Sequence, residues 1–269
     1  MKIGRKEFEN HHTYVMGILN VTPDSFSDGG KYNTMEQALH RAEVMITQGA
    51  DILDIGGEST RPGYTQISEA EEIERTAGVI ERLKREFSIP VSIDTYKASV
   101  AEAALQAGAD MVNDIWGLKW DERMAQVIAK NQVACCLMHN RTKVEYQNFM
   151  TEVQQDLKES ILLAQEAGIE ADKILLDPGV GFAKSYEQNL EVIHKLEQIK
   201  ELGYPVLLGT SRKSVIGLTL DLPTDQRLEG TLVTTVYAVL KGCMFVRVHD
   251  IQENVRAIRM AEAIRDGWK

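Results

Sequence analysis

The chain is 269 residues long, 43% hydrophobic, with 30 basic against 40 acidic side chains and a net charge of −10. That apolar fraction supports a sizeable core, so the chain is globular and not a disordered tail. The acidic balance argues against general nucleic-acid binding and against docking on an anionic membrane surface.

The chain begins MKIGRKEFENHH, charged and without an apolar stretch, which does not read as a secretory leader. No run reaches the roughly 18 apolar residues of a membrane span. From residue 14 onward, short β-rich runs alternate with longer helix-period segments. The runs at 14–19, 52–55, 91–93, 111–113, 133–138, 174–176, 206–208 and 244–248 predict eight strands. Each is followed by a predicted helix, at 35–48, 68–87, 97–107, 122–130, 151–167, 186–202, 226–241 and 252–266. Gly49, Gly108 and Gly203 sit where helices stop. Cys135, Cys136 and Cys243 fall inside the apolar runs with no metal-ligand spacing, as buried reduced thiols of a cytoplasmic protein would.

Eight βα units with no linker predict an α/β fold: one (β/α)8 TIM barrel as a single domain over residues 1–269. A doubly wound sheet is the other arrangement that alternation allows, and the count of eight with this length favours the barrel. The segment TLVTTVYAVL, 231–240, is apolar around more of its circumference than an outer barrel helix needs, which predicts a subunit interface and a homodimer. Glu71, Glu72 and Glu74 with Arg75 read as a solvated helix face.

The segments leaving the strands are unusual, while those entering them are short and plain. They read NVTPDSFSDGG, GGESTRPG, DTYK, NDIWG, MHNR, DPGVGFAK, GTSRKS and RVHD. In a (β/α)8 barrel all of these lie on one face, where active sites are built. The first, at 20–30, is longer than the about 4–6 residues a connection needs. Apart from Phe26 it offers little to bury, so it is a slack loop or a lid that orders over a ligand.

Three exits begin with Asp94, Asn113 and Asp177. Two acids and an amide near a barrel axis suit a flat heterocycle with amino and imino groups, because a carboxylate accepts paired N–H bonds. A helix cap is the plainer role for each one alone, Asp94 above all. Lys213, Arg247, His249 and Arg61 form a cationic group on the same rim and point to an anionic ligand such as a phosphate. No His/Cys/Asp cluster has the spacing of a metal centre. Magnesium carried by a diphosphate needs only one or two protein oxygens, and Asn20 could supply one.

Taken together, MGILNVTPDSFSDGG, DIGGESTRPG, SIDTYK, NDIWG, LMH, DPGVGFAK, GTSRKS and RVHD resemble the dihydropteroate synthase family over residues 16–250. The resemblance implies condensation of a dihydropterin-CH2-diphosphate with 4-aminobenzoate, giving dihydropteroate and diphosphate, with Mg2+, and competition by sulfonamides. It implies that Asp94, Asn113, Met138, Asp177, Phe182, Lys213 and Arg247 hold the pterin. Asn20, with the metal, and Thr60, Arg61, Arg247 and His249 would meet the diphosphate. Phe26, Pro62 and Ser214 would border the 4-aminobenzoate. Catalysis would fall to Asp94, Asp177, Lys213, Arg247, His249 and Arg61, with the loops at 20–30 and 56–63 closing over the site. A pterin-dependent methyltransferase and a non-catalytic pterin-binding homologue are the alternatives.

Overall fold

The computed structural model describes residues 1–22, 31–58 and 66–267. Ten short strands and ten α-helices are described. β1 (Lys2–Ile3) and β2 (Lys6–Glu7) form an antiparallel hairpin. The other eight strands are β3 (Tyr14–Asn20), β4 (Ile52–Gly56), β5 (Val91–Asp94), β6 (Met111–Asp114), β7 (Ala134–Met138), β8 (Ile174–Asp177), β9 (Leu207–Leu208) and β10 (Phe245–Val248). They are all parallel, in the order β8-β7-β6-β5-β4-β3-β10-β9. The first of these strands therefore pairs with the last, which a doubly wound open sheet would not do. The β8–β9 seam is held by one parallel bridge, Leu176 to Val206, with the Leu176 N–H donating to the Pro205 carbonyl at 2.9 Å. The result is a nearly closed (β/α)8 barrel.

Register decides what the barrel presents. Asn20 is level with Gly56, Gly56 with Asp94, and Asp94 with Asn113. Met138 is level with Asp177 on the far side. Alternate residues of each strand point inward, so one layer at the strand ends collects these polar groups. Apart from Asp54 and Ser92, the filling beneath is apolar. Met16, Ile52, Met111, Cys136, Leu175, Leu207 and Phe245 pack inside the barrel with Ile3 and Phe8 of the hairpin, which plugs the floor. Phe8 stacks 5.1 Å from Phe245 and 4.8 Å from Tyr14, centroid to centroid. Two-residue strands carry no readable period, so the hairpin is invisible in the sequence.

The outer layer comprises α1 (Lys31–Thr47), α2 (Glu69–Glu86), α3 (Ala98–Gln106), α4 (Met124–Asn131), α5 (Phe149–Glu166), α6 (Tyr186–His194), α7 (Leu196–Lys200), α8 (Ser214–Leu220), α9 (Leu228–Lys241) and α10 (Ile251–Asp266). Local chemistry fixes several starts. The Ser68 hydroxyl accepts from the Glu71 N–H, and Ser185 with Gln188 forms a full capping box. The helix predicted over 186–202 breaks at Lys195 (φ −103°, ψ 30°), which lets Val192 and Ile193 on one piece and Leu196 and Ile199 on the other all reach the core. α8 is an addition between β9 and α9, in the place where such barrels often carry an extra short helix.

Glu72 corrects one expectation. It is buried, because α2 turns it toward α3, where the Lys97 ammonium meets it at 2.8 Å and Glu58 at 2.7 Å. Lys97 also donates to the Ile67 carbonyl at 2.9 Å. On the opposite side Leu218 and Leu220 of α8, Val233 and Leu240 of α9, and Met260 and Ile264 of α10 are exposed apolar residues. Among the described residues no helix is long and apolar enough to cross a membrane.

Candidate active site

A cavity of about 350 Å³ opens at the C-terminal ends of the strands. Every predicted site residue within the described stretches lines it: Asn20, Asp94, Asn113, Met138, Asp177, Phe182, Lys213, Ser214, Arg247 and His249. Phe26, Thr60, Arg61 and Pro62 lie outside the described residues. Asp94 is no helix cap, since the N-cap of α3 is Lys97. Its carboxyl points into the barrel.

The polar floor is organised by Arg247. Its Nε donates to Asp54 Oδ2 at 2.6 Å, and its Nη2 to Asp94 Oδ2 at 2.5 Å. Asn113 donates its amide N–H to the same Asp54 oxygen at 3.1 Å. Asp54 is fully buried one pleat below the cavity and thus aims two of the predicted ligand residues. The strand pattern over 52–55 marks only its burial. The available signal was an isolated acid inside the apolar run Ile52-Leu53-Asp54-Ile55, an expensive thing to bury unpaired.

Two carboxylate oxygens here, Asp54 Oδ1 and Asp94 Oδ1, are buried with no hydrogen-bond donor among the described residues, as is Ser92 Oγ. A buried acceptor left unmatched costs about 1–3 kcal/mol. A ligand N–H at Asp94 would remove that cost. Burial raises the Asp94 carboxyl to about 7, with the Asp54 charge adding to the rise and Arg247 pulling against it. Burial opposes the charge on Arg247, yet Asp94 and Asp54 outweigh it and hold the guanidinium above its ordinary value.

Asp177 ends β8. Its Oδ1 accepts from the Gly179 N–H at 2.7 Å, and burial raises the carboxyl while Lys213 draws it down. A Cβ placed on Gly209 would lie 3.6 Å from Asp177 Oδ2, 3.8 Å from Lys213 Nζ and 3.9 Å from Arg247 Cβ. The missing side chain at Gly209 therefore leaves one spot that three site residues share. Lys213 donates to the Val180 carbonyl at 2.6 Å and stands 4.9 Å over the Phe182 ring. Burial lowers this ammonium to about 8. Met138, Ile115 and Tyr96 form a small apolar cluster with Phe182 and Trp116 against it, a wall for a flat ring.

At the outer edge His249 Nδ1 pairs with Ser211 Oγ at 2.9 Å, and Arg41 donates to the His249 carbonyl at 3.1 Å. Arg212 also lines the cavity and pairs with both oxygens of Asp250, at 3.0 and 2.5 Å. Arg227, which no motif singled out, lines it too and donates to the Arg212 carbonyl at 3.0 Å. Among the described residues no group of three His, Cys, Asp or Glu could hold a metal.

The pattern of the family described as pterin binding enzyme matches residues 16–249. The dihydropteroate synthase of Clostridium beijerinckii is 59% identical over 266 residues, covering 98% of this chain and 99% of the relative. The chain belongs to the pterin-binding enzymes, among the dihydropteroate synthases. These are transferases, and the pterin-binding barrel is closely kept between them. A crystal structure of the Clostridium difficile enzyme in the presence of pteroic acid is similar with a TM-score of 0.94 at 52% identity, covering 96% of this chain and 98% of that one. The Yersinia pestis enzyme in complex with a sulfonamide drug gives a TM-score of 0.93 at 39% identity over 99% of both chains.

Proposed function

We propose that this barrel mouth condenses (7,8-dihydropterin-6-yl)methyl diphosphate with 4-aminobenzoate by a dissociative displacement, yielding 7,8-dihydropteroate and diphosphate for folate synthesis. The observation that carries the reading is the buried acceptor set. Asp94 offers an undonated Oδ1, Asp177 has one oxygen fixed by Gly179 and the other open, and Asn113 is oriented from below by Asp54. A pterin edge supplies amino and imino N–H groups in one plane, which such acceptors match. Met138 and Phe182 take the ring faces, and Lys213 stands beside Phe182 where it can donate to the ring.

Catalysis is then electrostatic. Breaking the bond between the pterin methylene and the diphosphate sends the electron pair to the leaving group and leaves positive charge on the pterin. The carboxylates of Asp94 and Asp177 favour that charge, while Arg247 and His249, with Arg61, stabilise the departing anion. The aniline nitrogen of 4-aminobenzoate attacks the methylene and sheds a proton as the C–N bond forms. Ser214, with Phe26 and Pro62, borders that second substrate. No covalent nucleophile is invoked, and the buried thiols of Cys135, Cys136 and Cys243 do not line the cavity.

The donor set fits magnesium. Asn20 lines the cavity with a hard oxygen, and Gly56 leaves the approach open, since a Cβ there would stand 3.0 Å from Asn20 Oδ1. Asn20 together with diphosphate oxygens would hold Mg2+, which supplies neutralisation of charge on the leaving group. Pteroic acid, present with the Clostridium difficile enzyme, is a pterin already joined to 4-aminobenzoate, and the sulfonamide in the Yersinia pestis enzyme supports sulfonamides as competitors here. The exposed apolar residues of α8, α9 and α10 suit burial against a second copy, so the working form is a homodimer. Three buried free thiols suit the cytoplasm.

One assay tests the reaction: diphosphate release from the pterin diphosphate. It should require both 4-aminobenzoate and Mg2+. Methyl transfer to a corrinoid protein without diphosphate release, or pterin binding without turnover, would overturn it.

A further inference from the structure

We propose that Lys184 is a positioning residue for the pterin: its ammonium locks the turn after β8 onto His139 and so sets Asp177, Phe182 and the seat of Lys213. The inference rests on the pterin reading of the cavity, although Lys184 itself does not line that cavity.

The turn running from Asp177 to Lys184 is held by more than its own backbone hydrogen bonds. Gly179 (φ +71°), Gly181 (φ +86°) and Ala183 (φ +43°) all adopt left-handed backbone, and Ala183 does so with a Cβ. Side-chain ties, two within the turn and one to β7's exit, help impose that conformation. Lys184 Nζ supplies three, reaching the Gly179 carbonyl at 2.9 Å, the Phe182 carbonyl at 3.0 Å and His139 Nδ1 at 2.8 Å. An ammonium carries three N–H groups, and each finds an acceptor here.

The side chain is buried, so no water competes for these positions. His139 is fixed in turn. Its Nδ1 accepts from Lys184, which leaves its Nε2–H to donate to Asp156 Oδ2 at 3.0 Å, and Arg141 holds the same Asp156 oxygen at 2.6 Å. Burial lowers both partners, His139 to about 4 and Lys184 to about 7 against the pull of Asp177, so between about pH 4 and pH 7 a charged Lys184 faces a neutral, single-tautomer His139.

The turn is pressed tightly against β7. The His139 N–H donates to the Asp177 carbonyl at 2.9 Å, and a Cβ on Gly179 would come within 1.9 Å of the His139 carbonyl oxygen. Everything this turn shows to a ligand depends on that seat: the Asp177 carboxylate through the Gly179 N–H, the Phe182 ring, and the Val180 carbonyl that receives Lys213. The outer side is tied separately, by Asn189 of α6 accepting from the Gly181 N–H at 2.6 Å. Removing the ammonium therefore loosens the pterin-facing side and leaves the outer tie intact.

The test is Lys184→Met, which keeps the length and removes the three donors. Pterin affinity is read by calorimetry with pterin-6-carboxylate, and both KM values come from diphosphate release. The expected result is a rise of about tenfold in pterin Kd and in KM for the pterin substrate, as for the loss of a charge-assisted hydrogen bond. KM for 4-aminobenzoate at saturating pterin should stay within about twofold. A folded variant with unchanged pterin affinity, or with both KM values raised equally, overturns the proposal. Should Lys184→Met not fold, His139→Phe removes one of the three acceptors. It should give a smaller rise confined to the pterin, and a wild-type pterin affinity there overturns the proposal as well. A wild-type protein that releases no diphosphate sinks the underlying reading, whereas an active wild-type with an indifferent Lys184→Met sinks this inference alone.

Discussion

Asp94→Asn should make the ligand-free protein relatively more stable in base and a poorer pterin binder at once. Asp94 is buried, and burial together with Asp54 raises its carboxyl to about 7 despite Arg247. A carboxyl with a folded value above its unfolded one binds its proton more readily when folded. Its contribution to stability is therefore fully present at low pH and is lost as pH rises from the unfolded value toward about 7. Between pH 5 and pH 8 that loss amounts to about 2–3 kcal/mol. Asparagine does not titrate, and its Oδ1 can still accept from Arg247. The stability of Asp94→Asn relative to wild type should thus climb by about 2–3 kcal/mol over that range, each kcal/mol worth roughly 2–4 °C in Tm. The same change removes a charged acceptor for a ring N–H, a loss of about 1.5–3 kcal/mol, or roughly ten- to hundredfold in pterin affinity. Unfolding of the ligand-free proteins at pH 5, 6, 7 and 8, with calorimetry of pterin binding at pH 8, measures both. Parallel stability curves would refute the buried-acid argument, and undiminished pterin affinity would refute the ligand role.

Arg247→Met leaves Asp54 and Asp94 buried without their cation, and should cost about 3–5 kcal/mol in denaturant unfolding at pH 8. The cost should shrink at pH 5, where the Asp94 carboxyl holds its proton, and an equal cost at both would contradict the pairing. Gly179→Ala should destabilise by at least about 1–3 kcal/mol from its left-handed backbone alone, and should weaken pterin binding because the new Cβ collides with the His139 carbonyl. Wild-type stability would show that the turn gives way easily. A pterin N–H donated to Asp94 favours the ionised carboxylate, so binding at pH 6 should release up to one proton. Calorimetry in buffers of different ionisation heat reads this directly, and proton uptake would argue against the contact.

Much of the site was legible because barrel topology turns strand ends into one surface. Once eight exits share a rim, Asp94, Asn113, Asp177, Lys213 and Arg247 converge without further information, and the structure lines one cavity with them. What stayed hidden lies one pleat deeper or one helix over. Asp54 acts from inside the barrel, through Arg247 and Asn113, where a strand pattern reads only burial. Glu72 looked solvated within its helix because the partner that buries it, Lys97, comes from a different βα unit. Arg227 reaches the cavity from the approach to α9, a position fixed by the unforeseen α8. Local sequence periodicity reports a face and cannot report what packs on it. Phe26, Thr60, Arg61 and Pro62, read from the loops of the first two exits, fall outside the described residues.

The most direct test of the whole account is a crystal structure with a pterin and 4-aminobenzoate bound together. The pterin edge should donate to Asp94 Oδ1 and Asp177, with its faces between Met138 and Phe182 and the methylene directed toward Arg247 and His249. A ring seated elsewhere in the mouth, for example between Arg212 and Arg227 with Asp94 left undonated, would contradict it.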